Sequence, residues 1–98
     1  MTPKELLNSA RNQLPGLEWK DLSGTGYCWL VADYGKLIKV VIRSNQNGGE
    51  IQIILFGDKM VRRDQFGTLE GFSYSLREAR ISVARALFDI RHLLNMPS

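Results

Sequence analysis

Hydrophobic positions recur with the period of a helix at both ends of the chain and alternate with polar positions between the ends. Near the start, the apolar residues that share one helical face are Leu6, Leu7, Ala10 and Leu14. Thr2 and Glu5 have the spacing of a capping box, and Pro3 suits the first helical position. Pro15 and Gly16 then end this predicted first helix.

The longest periodic stretch covers residues 75–95 and predicts a long C-terminal helix. Its predicted core-facing residues are Leu76, Ala79, Val83, Ala86, Leu87, Ile90, Leu93 and Leu94. Ser75 and Glu78 form a second capping-box pattern, and Asn95 and Pro97 are residues that stop a helix. We therefore expect this helix to begin at Ser75.

Between the two helices, alternating apolar and polar residues predict short strands. The predicted strands cover residues 17–22, 27–32, 37–43, 50–56 and 60–63. Residues 44–49 (SNQNGG) predict a flexible loop of turn-forming residues. Residues 64–74 are expected to form another loop, in which Phe66, Phe72 and Tyr74 plug one end of the core. Sequential hairpins make a meander the expected strand order.

These elements place the chain in the α+β class. The predicted architecture is an N-terminal helix, an antiparallel meander sheet of three to five strands, and a long C-terminal helix packed on the sheet. The length of 98 residues suits one domain over residues 1–98, and 44% hydrophobic with 23% charged residues is an ordinary globular composition. No apolar run is long enough for a membrane span, and no secretion signal is recognisable. The lone Cys28 has no partner for an internal disulfide, so we expect a cytoplasmic protein.

The positive charge is concentrated at the C-terminal end of the chain. Residues 1–58 carry six basic and six acidic side chains, whereas residues 59–98 carry seven basic and four acidic ones, which accounts for the net charge of +3. Six of those seven basic residues are arginine, which suits bidentate contact with phosphate or carboxylate. A solvated helix face with internal pairs, such as Arg85 with Asp89, is the alternative.

The sequence contains few of the residue types that catalysis and metal binding require. One His and one Cys do not supply a zinc site, and no Ser or Cys lies beside a candidate base in the sequence. We interpret His92 as a cation near a helix C-terminus, and Cys28 as a small buried hydrophobic residue. The sequence therefore predicts no enzyme activity, no cofactor and no metal site.

The C-terminal helix has a second apolar stripe, away from its core face, formed by Ile81, Ala84 and Phe88. Three interpretations stay open. The N-terminal helix packs there, a second copy packs there and forms a homodimer, or another protein docks there. In the last two cases Ile81 and Phe88 form the interface, with Arg85 and Arg91 at its rim.

The start of the C-terminal helix resembles two nucleic-acid-binding families. Residues 75–80 (SLREAR) after a sheet are similar to the last helix of double-stranded-RNA-binding domains, where a Ser, basic residues and an Ala open the helix. This resemblance implies that Arg77 and Arg80 reach phosphates across a groove, aided by the helix N-terminus. Here Glu78 replaces the second basic residue of that family, and the loop between the first two strands lacks its Gly-Pro-x-His.

The same string resembles the arm-type DNA-binding modules of phage integrases, in which a three-stranded sheet contacts DNA. That resemblance implies sheet contacts from Lys39, Arg43 and either Arg62 or Arg63. The leading prediction is a small non-enzymatic nucleic-acid-binding protein, bacterial or phage-like in its brevity, whose arginines contact phosphates. The alternative is a protein–protein module, such as an inhibitor, adaptor or antitoxin-like subunit, that binds an acidic protein through the Ile81/Phe88 stripe or the second sheet face.

Overall fold

Two helices lie on a five-stranded sheet in the computed structural model, which describes residues 2–95 and, in the last helix, the side chains up to His92. The elements are α1 (Pro3–Gln13), β1 (Glu18–Asp21), β2 (Tyr27–Tyr34), β3 (Ile38–Asn45), β4 (Gly48–Leu55), β5 (Lys59–Phe66) and α2 (Leu69–Asn95). Pro97, predicted to help stop α2, lies outside the described residues, as do the side chains of Leu93 and Leu94.

The sheet is an antiparallel meander, in which the strands follow the order β1-β2-β3-β4-β5. Both helices pack on one face of it and also against each other, α1 beside β1 and β2 and α2 beside β4 and β5. This confirms the predicted α+β class, the meander order and the packing of the long C-terminal helix on the sheet. Within residues 2–95 no helix lies on the opposite sheet face, and we call it the open face.

The core lies between the covered sheet face and the two helices. Alternation along β3 buries Ile38, Val40 and Ile42 completely or nearly so, as the sequence pattern predicts. The helices and Leu14, the residue that ends α1, complete the core; the helical residues are Leu6, Ala10, Phe72, Leu76, Ala79, Val83, Ala86 and Ile90. Each fully buried Leu, Ile or Phe side chain stabilises the fold by about 1.5–3 kcal/mol, so this layer of contacts holds both helices on the sheet.

The start of α2 differs from the prediction. The helix begins at Leu69, six residues before the expected Ser75, and the Thr68 hydroxyl accepts a hydrogen bond from the Gly71 N–H at 3.0 Å. Thr68 therefore caps the helix, whereas Ser75 is buried within it. The capping-box interpretation of Ser75 and Glu78 was wrong because Thr68 provides an equally suitable cap about two turns earlier. Thr68 lies upstream of the aromatic residues that were assigned to a loop.

Residues 64–74 are consequently not a loop. β5 continues to Phe66, and α2 takes up the segment from Leu69. Phe66 and Phe72 do close one end of the core, with ring centroids 4.8 Å apart. Tyr74, by contrast, is 64% exposed, so its predicted core position was wrong.

The predicted loop at residues 44–49 is also shorter in the structure. β3 runs to Asn45 and β4 starts at Gly48, so only two residues form this hairpin turn. Gly49 is needed inside β4 because a Cβ there would lie 2.3 Å from the Phe66 ring and 2.7 Å from the Arg43 carbonyl oxygen. Gly49, one of the glycines that suggested a loop, thus allows strand β4 to pack closely against Phe66 and β3.

Candidate interaction surfaces

Among the side chains of α2 that the structure describes, the most exposed apolar ones form a line on its solvent side. Tyr74, Ile81 and Phe88 are 64%, 54% and 70% exposed, and they are spaced seven residues apart. At about 100° per residue, this line lies on the side of the helix opposite to Leu76, Val83 and the other core residues. We call these three residues the outer stripe.

Packing of α1 does not cover the outer stripe. α1 contacts α2, yet Ile81 and Phe88 stay 54% and 70% exposed. The segment that follows α1 lies on another side of α2, where residues 13–17 line a groove of about 180 Å³ with Arg80, Val83, Ala84 and Leu87. The interpretation in which the N-terminal helix buries Ile81 and Phe88 was therefore wrong: α1 lies on the sheet beside α2, and not above it. A second copy and another protein remain as the occupants to consider.

Exposed arginines accompany the outer stripe. Those at its sides are Arg77, Arg80, Arg85 and Arg91. None of the four forms an ion pair with a carboxylate of the described residues. Glu78 pairs instead with Arg62 at 3.8 Å, and the expected pair between Arg85 and Asp89 does not form. The alternative of an internally neutralised helix face was therefore wrong for these arginines.

His92 also lies on this side of α2. Its ring stacks on Phe88, with centroids 6.3 Å apart and planes 4° from parallel. The imidazole and Phe88 thus form one exposed aromatic surface near the end of the described side chains.

The six predicted phosphate contacts do not share one surface. Arg77 and Arg80 project from α2, whereas Lys39 and Arg43 lie on the open face of β3, on the other side of the sheet. Arg62 faces the helix layer, and its guanidinium forms an ion pair with Asp64 and donates to the Ser82 hydroxyl at 3.3 Å. Arg62 therefore links β5 to α2, and these contacts within the fold engage the guanidinium that was predicted to bind phosphate.

Arg63 lies on the open face, on the opposite side of β5 from Arg62, and it pairs with Glu50. Gln52 donates a second hydrogen bond to the same carboxylate at 2.9 Å. The Arg43 guanidinium stacks on the Trp29 ring, 5.6 Å from its centroid. A shallow groove of about 440 Å³ begins beside this pair and continues past Tyr27 and Gly48.

The described residues contain no group of three or more His, Cys, Asp or Glu side chains that could hold a metal ion. Cys28 is buried, as predicted, and burial raises the pKa of its thiol while hydrogen bonds with Ser23 and Ser44 act in the opposite direction. At neutral pH the thiol is therefore protonated and shielded from reagents. A cysteine in this state has a structural role and not a reactive one.

Tyr74 is the residue of this surface that the sequence reasoning missed. It was assigned to the core with Phe66 and Phe72 because a loop was expected there. Its spacing of seven residues from Ile81, repeated between Ile81 and Phe88, was the available signal, because such a repeat keeps residues on one side of a helix.

Comparisons with protein-family models, with curated proteins and with solved structures found no match to this chain. Over the part of the chain that the structure describes, neither helix has both the length and the apolar character needed to cross a bilayer.

Proposed function

We propose that this chain is a small non-enzymatic protein-interaction module whose binding surface is the outer stripe of α2. The observation that carries the proposal is the exposure of Tyr74, Ile81 and Phe88 in a continuous line with arginines beside it. An apolar centre rimmed by charged residues, with aromatic and Arg side chains enriched, is the composition of a protein interface. Because Cys28 has no disulfide partner, we assign this role to the cytoplasm.

The exposure of these side chains has no explanation within the fold. Three large apolar groups on a solvated helix contribute little to folding, and a contiguous exposed patch of this kind typically marks a binding site. Because they project from a helix held by a full row of core residues, they are presented on a rigid support, which lowers the entropy lost on binding.

The direct test is photocrosslinking in the native host, with a benzophenone side chain in place of Phe88 and, as the matched control, in place of Phe56. Phe56 is 55% exposed but lies in the β4–β5 turn, away from the stripe. We expect a discrete protein adduct from position 88 and none from position 56. Equal labelling from both positions, or no protein adduct from position 88, would contradict the proposal.

Nucleic-acid binding is the second candidate, favoured by the four arginines of α2 that have no carboxylate partner among the described residues. The resemblance of residues 75–80 to nucleic-acid-binding helices also supports it. Arginines that contact phosphates release counterions, so this binding would weaken steeply between low and moderate salt.

Fluorescence anisotropy with labelled single-stranded and duplex DNA and RNA tests this second candidate. We expect the Arg77→Ala/Arg80→Ala variant to reduce binding, and the Lys39→Ala/Arg43→Ala variant to show whether the open face takes part. Unchanged anisotropy with every probe at low salt would eliminate nucleic-acid binding and leave the protein interface.

A further inference from the structure

We propose that the outer stripe of α2 docks on the outer stripe of a second copy of this chain, with the two helices antiparallel. This inference rests on the proposed function and names its partner. It follows from a complementarity between two neighbouring rows of residues on the exposed side of the helix.

The two rows repeat with the same period. Tyr74, Ile81 and Phe88 form the first row, and the residues three positions after each of them, Arg77, Ala84 and Arg91, form the second. Residues three apart are neighbours on a helix surface, so the rows lie side by side along about 20 Å of α2. In a coiled coil, paired helices contact each other through two adjacent rows of residues that each repeat every seven positions.

An antiparallel pair centred between Ile81 and Ala84 brings unlike residues together. Ile81 meets the small Ala84 of the second copy, which allows the helices to approach closely. Arg77 then lies over the ring of Phe88 in the other chain, and Tyr74 meets Arg91 of the other chain. Two-fold symmetry repeats each contact, giving four favourable arginine–aromatic contacts across the interface.

The charges beside these rows favour the same orientation. Antiparallel pairing in this register places Glu78, which is 3.8 Å from Arg62 of its own chain, near Arg85 of the second copy, so that its carboxylate would be shared between two arginines. Arg85 has no carboxylate partner within the described part of its own chain. A parallel pair would instead set Arg77 against Arg77 and Arg91 against Arg91. Like charges at close range are unfavourable, so the parallel arrangement is disfavoured.

The fold leaves the stripe accessible to a second copy because the core face of α2 is on the opposite side. Two chains joined by their stripes would form four layers, with the sheets outermost and the helices between them. The open faces of both sheets, including the Trp29–Arg43 pair, would remain in solvent.

Light scattering after size exclusion, together with sedimentation equilibrium, tests whether the purified protein is a dimer. We expect a dimer that is retained at high salt, because salt screens the repulsion between two basic chains. Phe88→Asp should raise the dimer dissociation constant about thirtyfold or more, the effect of losing a central interface residue, whereas the control Phe56→Asp should leave it unchanged. A monomer at all concentrations would overturn the inference, and a position-88 adduct with a different protein would then leave the proposed function standing.

Thiol cross-linking tests the orientation. Cys28→Ser provides a background in which Tyr74→Cys and Arg91→Cys variants each carry one thiol, and the two variants are mixed and treated with a short cross-linker. We expect cross-links that join position 74 of one chain to position 91 of the other. Cross-links that join 74 to 74 and 91 to 91 would show a parallel pair and overturn the proposal.

Discussion

Phe56 adopts a backbone conformation that side chains with a Cβ rarely take. Its φ angle is 55° in the turn between β4 and β5, followed by Gly57 at 90°. The Phe56 N–H donates to the Leu37 carbonyl oxygen at 2.9 Å, which holds the turn against the neighbouring loop. The ring is exposed, so the residue gains little burial to offset the unfavourable conformation.

We expect Phe56→Asn to leave the free energy of unfolding unchanged or to raise it by up to about 1 kcal/mol, because Asn tolerates a positive φ angle. Phe56→Val should lower it, since a β-branched residue is the least suited to this conformation. Urea denaturation of the three proteins measures the difference. A more stable Val variant would show that φ at this position is not the controlling factor.

Cys28 gives the fold a pH dependence on the alkaline side. Burial raises the pKa of its thiol above the ordinary value, so the folded state holds the proton more tightly than the unfolded state does. The resulting stabilisation is complete below the pKa of the unfolded thiol and is lost as the pH rises towards the folded value.

We therefore expect the free energy of unfolding of the wild type to fall more between about pH 8 and pH 10 than that of Cys28→Ala. Denaturant titrations at both pH values make the comparison, and the variant itself controls for the titration of Tyr and Lys residues. Parallel losses in the two proteins would show that the thiol does not contribute.

Among the elements, α2 shows how helix boundaries depend on competing local signals. Both Thr68 and Ser75 are suitable caps by residue type, and the sequence pattern favoured Ser75 because a glutamate follows three residues later. Phe72 favours the earlier start, because in the first turn of the observed helix it is completely buried beside Phe66. The free energy of that burial exceeds the contribution of a capping side chain, typically about 1 kcal/mol.

Thr68→Ala should lower the free energy of unfolding by about 1 kcal/mol through loss of the hydrogen bond to the Gly71 N–H. Ser75→Ala should have a smaller effect, because alanine is favourable inside a helix. Thermal and urea unfolding of both variants provide the measurement. The reverse ranking would place the start of the helix at Ser75 after all.

At the scale of the whole molecule, each phenylalanine of α2 belongs to a different side of the helix. Phe72 is completely buried against the sheet, while Phe88 is 70% exposed and stacks only on His92 among the described residues. The fold therefore requires the first and leaves the second for contacts outside the chain. This separation is what allows folding and binding to be tested independently.

Phe72→Ala should lower the free energy of unfolding by about 3–5 kcal/mol, because it leaves a cavity between α2 and the sheet. Phe88→Ala should change the stability of the monomer by less than about 0.5 kcal/mol, as for other exposed positions. Denaturation at low protein concentration keeps any dimer from contributing. A large loss of stability in Phe88→Ala would mean that Phe88 belongs to the core.

The sequence by itself determined the α+β class, the strand order and most core residues, because both periods of hydrophobicity are local properties of the chain. It also indicated the second stripe of α2 through Ile81 and Phe88. The tertiary structure alone decided where α2 begins, that α1 leaves the stripe uncovered, and that Lys39 and Arg43 lie on the other side of the sheet from Arg77 and Arg80. Those outcomes depend on which elements pack together, and packing energies between distant residues are not encoded in any local pattern.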